Sequence, residues 1–188
     1  TLKYEFGSDT INRRSFAVQG LGSVGKVLAK ELIRAGGKVY VSDLDAEKLK
    51  EFESIATTVN PNEILYLDVD VLTPCGPAYV INQNSIPKLN CKIIAGAANC
   101  QLEDEVEDDR RLFERGILAA PDYVINAGGV MQGIEELNGG SLENALSRLP
   151  LIARNLNEVY ARSKQNGEGT YAVAKKMALE KRGLYLQI

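Results

Sequence analysis

Apolar and polar positions alternate between two periods over most of the chain. A short apolar run at 15–19 stops at a glycine, which is typical of a buried strand. Residues 24–35 then carry apolar side chains at helical spacing and stop at two glycines. The same alternation predicts strands at 38–42, 69–73 and 92–95, helices at 46–53 and 103–115, and short extended runs at 117–118 and 123–125.

The pattern changes at the Asn-Gly-Gly segment of 138–140. A stripe of apolar residues at helical spacing follows over 141–165, and Pro150 inside it should kink or restart the helix. The Asn-Gly pair at 166–167 should end this helix, and Thr170 is then placed to cap a last one. The C-terminal part of the chain is therefore predicted to be helical throughout.

Repetition of strand and helix with short connections predicts right-handed crossovers and a parallel sheet covered on both faces. We therefore expect an α/β fold of the Rossmann type, a doubly wound and mostly parallel sheet followed by C-terminal helices. The predicted domain organisation is a sheet domain over 1–140 and a helical segment over 141–188 packed on it.

The charge balance argues against two classes of partner. Lys and Arg number 22 and Asp and Glu number 25, which gives a formal net charge of −3. This balance does not supply the basic surface that nucleic acid or an anionic membrane requires. No apolar run approaches the roughly 20 residues that cross a bilayer, and the first ten residues are too polar for a signal peptide. We therefore expect neither a nucleic-acid nor a membrane partner.

The cysteine and histidine counts limit the chemistry further. Cys75, Cys91 and Cys100 form no C-x-x-C pair, and the chain contains no histidine. We therefore expect no metal site and no disulfide framework, but three reduced thiols in a cytoplasmic protein. Any acid–base chemistry on this chain must work without histidine, the commonest general base.

The glycine-rich segment at 20–25 fits the pattern G-x-G-x-x-G, with a predicted strand before it and a predicted helix after it. The first glycine permits a tight turn, the second lets the backbone approach a pyrophosphate, and the third lets the helix pack close to the strand. The helix N-terminus then presents N–H groups and a partial positive charge to the phosphates. The pattern on its own is weak, because glycine-rich turns also occur without ligands.

Asp43 strengthens the interpretation of this segment as a dinucleotide site. It ends the second predicted strand about 20 residues after the glycines, where a carboxylate accepts hydrogen bonds from an adenosine ribose. The alternative is that Asp43 only caps the helix that begins near Asp45. Leu44 and Asp45 follow it, with no Arg or Lys to receive a ribose 2′-phosphate, so NAD is favoured over NADP.

Three further loops end predicted strands with small or polar residues, at 73–76, 95–101 and 126–130. Open α/β sheets bind ligands outside the carboxyl ends of their strands, so these loops should share one edge. Asn99 and Asn126 are candidates to bind the carboxamide or ribose of a nicotinamide group. Each loop alone also fits an ordinary turn or helix start.

Four segments in order along the chain carry a specific likeness. They are A-V-Q-G-L-G-S-V-G from residue 17, D-V-D-V-L-T-P-C from 68, I-I-A-G-A-A-N-C-Q-L from 93, and A-P-D-Y-V-I-N-A-G-G-V from 120. Together with N-G-E-G-T-Y-A-V-A-K-K-M-A from 166, they resemble the Glu/Leu/Phe/Val dehydrogenase family. The likeness is strongest to its leucine, phenylalanine, valine and tryptophan branch, since glutamate dehydrogenases carry E-G-A-N-G-P-T in place of 95–101.

The resemblance implies roles for individual residues. The glycine segment would hold the pyrophosphate, Asp43 the adenosine ribose, and the later loops the nicotinamide riboside. The implied cofactor-binding residues are Gly20, Leu21, Gly22, Ser23, Val24, Gly25, Asp43, Leu44, Cys75, Gly76, Ala98, Asn99 and Asn126. Gly128, Gly129 and Val130 would approach the substrate, with Val130 in its side-chain pocket.

Two departures from the family pattern stand out. The family reads C-A-L-G where this chain has Cys75-Gly-Pro-Ala, so the backbone of that loop should differ. The family also has an amide residue where this chain has Cys100. We expect this replacement to remove a hydrogen-bonding group that faces the active cleft.

The resemblance further implies an enzyme that oxidises an apolar or aromatic L-amino acid to a 2-oxo acid and ammonia with NAD. The family carries a glycine-rich segment and a catalytic Lys–Asp pair on a separate N-terminal domain, and nothing here matches it. We therefore expect no catalytic residue on this chain, a substrate bound with the help of that domain, and a homo-oligomer. The alternative is a non-catalytic dinucleotide-binding module or sensor. The residues encoded upstream of Thr1 would distinguish the two.

Overall fold

One six-stranded sheet organises the fold in a computed structural model that describes residues 1–185. All neighbouring strands are parallel. The strands are β1 (Ser15–Gln19), β2 (Lys38–Ser42), β3 (Thr57–Thr58), β4 (Val71–Pro74), β5 (Ile93–Ile94) and β6 (Leu118–Ala119). Their order across the sheet is β3-β2-β1-β4-β5-β6, which is the Rossmann order, so the predicted fold class is confirmed.

The helices account for most of the remaining chain. They are α1 (Leu2–Phe6), α2 (Ser23–Arg34), α3 (Ala46–Lys50), α4 (Glu107–Glu114), α5 (Asp122–Ile125), α6 (Gly128–Leu137), α7 (Leu142–Arg148), α8 (Pro150–Asn166) and α9 (Thr170–Tyr185). Short 3₁₀ turns lie at Ile64–Tyr66 and Ile86–Lys88.

Apolar cores lie on both faces of the sheet, because successive side chains of a strand point to opposite faces. In β1, Phe16 and Val18 belong to one core, while Ala17 between them belongs to the other. All three side chains are buried. Continuous burial of this kind explains why the central strands appear as unbroken apolar runs rather than alternating ones.

The predicted strands at 15–19 and 38–42 are confirmed residue for residue, and the helix predicted at 24–35 is confirmed within one residue at each end. The helix predicted at 103–115 begins later, at Glu107, because the carboxylate of Asp104 accepts hydrogen bonds from the N–H groups of Val106 and Glu107. This local turn replaces the first turn of the expected helix.

The extended run predicted at 123–125 is wrong, since these residues lie in the helical turn α5. Pro121 fixes its own φ at −55°, and its carbonyl accepts hydrogen bonds from the N–H groups of Val124 and Ile125. A proline just before the first helical residue favours such a turn. Its effect here outweighs the strand preference of the sequence Tyr-Val-Ile.

The predicted restart at Pro150 is confirmed, because α7 ends at Arg148 and α8 begins at the proline. Gly167 ends α8 with a φ of 68°. The prediction that Thr170 caps α9 is wrong. The hydroxyl of Thr170 donates to the carbonyl of Ala119, and the buried carboxylate of Asp109 accepts from the first N–H groups of α9 instead.

The C-terminal helices pack on the sheet domain through a third apolar cluster. It joins Ala120 after β6 to Tyr160 and its neighbours on α8 and to Val173 on α9. The apolar stripe is only partly buried, however. Exposed apolar side chains remain on α6, α7 and the link to α8, namely Val130, Ile134, Leu137, Leu142, Leu146 and Leu149.

Candidate functional site

A cleft of about 900 Å³ lies between one face of the sheet, formed by side chains of β1, β4 and β5, and the helices α1, α2, α6 and α8. It extends to the loop that follows β5, at the carboxyl edge of the sheet. This edge includes the topological switch point of the sheet, since β2 and β3 lie on one side of β1 and β4, β5 and β6 lie on the other. Several predicted residues line the cleft, namely Val24, Asn99, Asn126, Gly128, Gly129 and Val130.

The glycine turn directly after β1 borders this cleft. Gly20 has a φ of 93°, and a Cβ atom there would lie 2.7 Å from the Cα of Gly76. A Cβ on Gly25 would collide with the carbonyl of Gly20. Both positions therefore require glycine. Gly20 needs it for the positive φ and for the close approach of the loop after β4, and Gly25 needs it for the packing of α2 against β1.

Gly22 is different, because it faces open space. Apart from its chain neighbours, no described atom lies within 4 Å of the position that a Cβ would take. Gly22 is also the N-cap residue of α2, and no described side chain caps that helix. Ser23 and Val24 form its first turn, and both are exposed. The N–H groups at the start of α2 are thus available to an anion of the size of a pyrophosphate.

Asp43 lies at the end of β2 and is hydrogen-bonded to the glycine turn. One carboxylate oxygen accepts from the N–H of Leu21 at 2.6 Å, and the other accepts from the N–H of Asp45 at 2.9 Å. Partial burial alone would raise the pKa of Asp43, but the hydrogen bonds from Asp45, Leu21 and Lys48 outweigh it and hold the pKa below its usual value. Asp43 is therefore ionised at neutral pH.

The side chain of Asp45, rather than that of Asp43, caps α3, since it accepts from the N–H of Glu47 at 3.0 Å. The alternative that Asp43 only caps this helix is therefore wrong. Leu44 between them is 87% exposed and lies beside the carboxylate in sequence.

Lys48 corrects the expectation that no cation lies near Asp43. It is five residues further along, on α3, and its ammonium group lies 3.3 Å from the Asp43 carboxylate. The first turn of α3, which begins at Ala46, brings residue 48 back toward the end of β2. A search for basic residues over that span of α3, rather than the next two positions alone, would have found it.

The loop after β4 packs behind the glycine turn. The N–H of Cys75 donates to the carbonyl of Gln19, and Gly76 lies against Gly20. Burial raises the pKa of the Cys75 thiol, so it remains protonated at neutral pH. Ala98 is only 6% exposed, and its N–H donates to the carbonyl of Pro74. Cys75, Gly76 and Ala98 thus support the wall of the site rather than line the cleft.

Asn99 and Asn126 meet directly. The side-chain amide of Asn126 donates to the side-chain oxygen of Asn99 at 2.7 Å, and both residues line the cleft. Asn99 lies in the loop after β5, and Asn126 ends α5, so the bond joins two loops that are 27 residues apart in sequence. Gly128, Gly129 and Val130 follow as the first turn of α6, and Val130 is 65% exposed.

Cys100 does not belong to the residues that line this cleft. Its side chain is exposed, and its φ of 51° lies in the left-handed region. Its N–H donates to a carboxylate oxygen of Asp122 at 2.6 Å, and its carbonyl accepts from the N–H of Tyr79. The residue at this position therefore acts through backbone conformation, which an amide residue such as Asn tolerates better than Cys.

Gln101 was missed by the sequence analysis. It is fully buried, and its side-chain amide donates to the carbonyls of Gly96 and Ala98 at 3.0 and 3.1 Å. These bonds hold the loop that carries Asn99 in a tight turn. A glutamine at the end of a strand-ending loop that begins with small residues is a signal of such internal support, since loops must satisfy their backbone carbonyls.

Within residues 1–185, no group of three or more Cys, Asp or Glu side chains is arranged to hold a metal ion. No helix there combines the length and the apolar character needed to cross a membrane.

Comparison with known proteins gives a consistent result. Residues 42–181 match the family model described as glutamate/leucine/phenylalanine/valine dehydrogenase. The chain is 40% identical over 181 residues to the leucine dehydrogenase of Bacillus cereus, covering 95% of this chain and 49% of that protein. The chain therefore spans about half the length of the curated relatives that it matches.

Solved structures agree with this assignment. The crystal structure of L-tryptophan dehydrogenase from Nostoc punctiforme matches with a TM-score of 0.95 and 36% identity, covering all of this chain and 56% of that one. The hetero-hexameric glutamate dehydrogenase of Thermus thermophilus matches with a TM-score of 0.73 and 25% identity, covering 96% of this chain and 48% of that one.

Proposed function

Because this chain belongs to the glutamate/leucine/phenylalanine/valine dehydrogenase family, we propose that it is the NAD-binding half of an amino-acid dehydrogenase. The reaction is the reversible oxidative deamination of an apolar or aromatic L-amino acid to a 2-oxo acid and ammonia. One observation carries the proposal: the open start of α2 at Gly22 and the ionised Asp43 lie at the same sheet edge as the cleft of Asn99 and Asn126.

The residues at this edge fit a dinucleotide. The uncapped N–H groups after Gly22 would bind the pyrophosphate, while Gly20 and Gly25 keep the turn tight enough for its backbone to be reached. Asp43, held by Leu21, would accept hydrogen bonds from the adenosine ribose. Exposed Leu44 would cover part of the adenosine.

The nicotinamide end would lie in the cleft. Asn99 and Asn126 would bind the riboside and the carboxamide, with Cys75, Gly76 and Ala98 supporting the wall behind them. NAD, when bound, accepts the hydride that leaves the α-carbon of the substrate. Gly128, Gly129 and Val130 would then border the substrate, and Val130 would contact its side chain.

The cleft supplies no acid–base side chain. Its lining among residues 1–185 includes no Lys, Arg, Asp or Glu side chain, and the whole sequence contains no histidine. We therefore propose that the residues that exchange protons with the substrate lie in the part of the relatives that this chain does not cover. If the proton-exchanging residues lie there, the role of this chain is to bind and orient NAD.

Formation of NADH tests this function. The chain is assayed with leucine, valine, phenylalanine and tryptophan at alkaline pH, alone and mixed with the N-terminal half of the Bacillus cereus leucine dehydrogenase. We expect no turnover from the chain alone, since loss of a positioned acid–base group costs about 10²–10⁴ in rate. Turnover on mixing supports the proposal, and turnover by the chain alone contradicts the division of roles. NAD binding without turnover in either case favours a non-catalytic module or sensor.

We also propose that the chain works within a homo-oligomer. The exposed apolar side chains of α6 and α7, among them Ile134, Leu137, Leu142 and Leu146, form an unusual surface for a monomer. The Thermus thermophilus relative is itself hetero-hexameric. Sedimentation at increasing protein concentration should reveal association that weakens when Leu137 and Leu142 are replaced by Ser. A monomer at high concentration would contradict this proposal.

A further inference from the structure

Asp122 contacts the backbone beside both members of the asparagine pair. It is the first residue of α5 and is 6% exposed. Its carboxylate accepts from the N–H of Cys100, the residue after Asn99, at 2.6 Å. Its backbone carbonyl accepts from the N–H of Asn126 at 3.0 Å. The side chain of Asp122 therefore ties the loop that carries Asn99 to α5, the helix that ends at Asn126.

The contact to Cys100 opposes a local strain. Cys100 adopts a left-handed φ of 51°, a conformation that costs a non-glycine residue free energy. A bond from an N–H group to a carboxylate is shorter and stronger than one between neutral groups. The Asp122 carboxylate is therefore suited to hold Cys100, and with it Asn99, in a conformation that the backbone would not adopt by itself.

Asp122 is in turn fixed from α9. The N–H of Asp122 donates to the hydroxyl of Tyr171 at 3.3 Å, and Tyr171 is 3% exposed. Burial and the nearby Asp122 carboxylate raise the pKa of Tyr171. The Asp109 carboxylate accepts from the N–H of Tyr171 and so anchors the start of α9. The support of the asparagine pair thus extends from the cleft to the C-terminal helices.

We propose that Asp122 is a positioning residue that sets the Asn99–Asn126 contact and thereby the affinity for the nicotinamide end of the cofactor. This inference rests on the proposed function. A purely structural role would instead be limited to stabilising the start of α5, where an acidic residue is favourable in any helix.

Binding of NAD and of ADP separates these two roles. ADP occupies only the adenosine and phosphate part of the site, which Asp122 does not contact. In Asp122→Ala we expect the affinity for NAD to fall about tenfold and the affinity for ADP to stay unchanged. Asp122→Asn keeps a neutral acceptor of the same shape, so it should recover part of the loss.

Asp108→Ala is the matched control. Asp108 is also a buried aspartate, 1% exposed, but it accepts from the N–H of Asp104 and pairs with Arg111 on α4. Its replacement should leave the ratio of NAD to ADP affinity unchanged. An equal loss of both affinities in Asp122→Ala, or no loss of NAD affinity, would overturn the inference.

The side-chain amide signals of Asn99 and Asn126, followed by ¹⁵N NMR without any nucleotide, give a second readout. They should shift in Asp122→Asn and remain in place in Asp108→Asn. If the wild-type chain binds neither NAD nor ADP, the proposed function fails, while these signals still decide whether Asp122 positions the pair. Unchanged signals in Asp122→Asn would overturn the inference.

Discussion

The side-chain amide of Asn126 donates to the side-chain oxygen of Asn99 across 2.7 Å, and this bond joins the loops that follow β5 and β6. The bond uses the NH₂ group of one asparagine and the oxygen of the other. The side-chain oxygen of Asn126 and the side-chain NH₂ group of Asn99 take no part in this hydrogen bond. One acceptor and one donor side by side complement the carboxamide of a nicotinamide ring, which offers the same two groups.

Asn126→Ala should weaken NAD binding by about five- to tenfold, because a hydrogen bond contributes about 1 kcal/mol. Affinity for ADP should stay the same. Asn138→Ala is the control, since Asn138 also ends a helix but lies at the far end of α6. Fluorescence or calorimetric titration with both nucleotides measures the effect. Equal losses of NAD and ADP affinity in Asn126→Ala would show that the pair does not serve the nicotinamide end.

Asp43 and Lys48 together should decide between NAD and NADP. The wild-type chain should bind NAD more tightly than NADP by at least about tenfold, or about 1.4 kcal/mol, because the Asp43 carboxylate repels a 2′-phosphate. In Asp43→Ser, Lys48 loses its partner at 3.3 Å and becomes available to the phosphate. The preference should then disappear or reverse.

Calorimetric titration of both dinucleotides tests this, with two matched variants. Asp45→Ser removes the neighbouring carboxylate that caps α3 and should keep the preference for NAD. Asp43→Ser combined with Lys48→Ala should not favour NADP. An unchanged preference in Asp43→Ser would contradict the assignment of Asp43 to the ribose.

Cys100→Asn should stabilise the chain. Asn adopts a left-handed φ more readily than Cys, so the replacement should raise the free energy of unfolding by about 1 kcal/mol. Urea denaturation provides the measurement. Cys100→Ala removes the thiol without relieving the backbone and should bring no gain. If Ala stabilised the chain as much as Asn, the φ of 51° would not be the cause.

Much of the fold was predictable because the central strands are short and apolar and are bounded by glycines, Gly20 after the first and Gly36 and Gly37 before the second. Segments 15–19 and 38–42 are buried between two helical layers, so their local pattern and their tertiary environment agree. One error came from a local signal, since residues 123–125 are helical after the adjacent Pro121. Another arose because a distant residue decides local structure: α9 is capped by Asp109, which lies about 60 residues earlier in the chain.

The same limit applies to the candidate site. Asn99 and Asn126 could be chosen as candidates because both follow predicted strands, but their direct bond depends on Asp122 and Gln101, which have no motif of their own. Lys48 escaped notice because helix geometry, and not adjacency in sequence, brings it to Asp43. The left-handed φ of Cys100 could not be predicted, because it depends on contacts with Asp122 and Tyr79.

Asp70 should make stability depend on acid pH. Asp70 directly precedes β4 and binds the start of β1. Its carboxylate accepts from the N–H of Ser15 at 2.8 Å and pairs with Arg14 at 3.1 Å. Partial burial alone would raise its pKa, but the bonds from Ser15 and Arg14 prevail and lower it. The contribution of Asp70 to stability is therefore present at neutral pH. It begins to be lost as the pH falls below about 4, the ordinary pKa of Asp, and it is gone once the pH is below the lower pKa of Asp70 in the folded chain.

Asp70→Asn should lower the free energy of unfolding by about 1–3 kcal/mol at pH 7, since hydrogen bonds to a charged group are involved. The difference from wild type should shrink in acid. Asp68→Asn, at an exposed position two residues earlier, removes the same charge and should have little effect. Urea unfolding between pH 3 and pH 7 checks this. A difference in the free energy of unfolding that does not depend on pH would contradict the claim that the charge of Asp70 stabilises the fold.

The central claim is that this chain holds NAD by the start of α2, and calorimetric titration of NAD into Gly22→Asp tests it most directly. The Cβ has open space at this position, so Asp should fit without disturbing the fold, and its carboxylate should cap α2 and repel the pyrophosphate. Gly22→Asn has the same size without the charge. We expect saturable binding of one NAD by the wild-type chain, at least about tenfold weaker binding by Gly22→Asp, and a smaller loss for Gly22→Asn. No saturable binding by the wild-type chain, or equal affinity in Gly22→Asp, would contradict the claim.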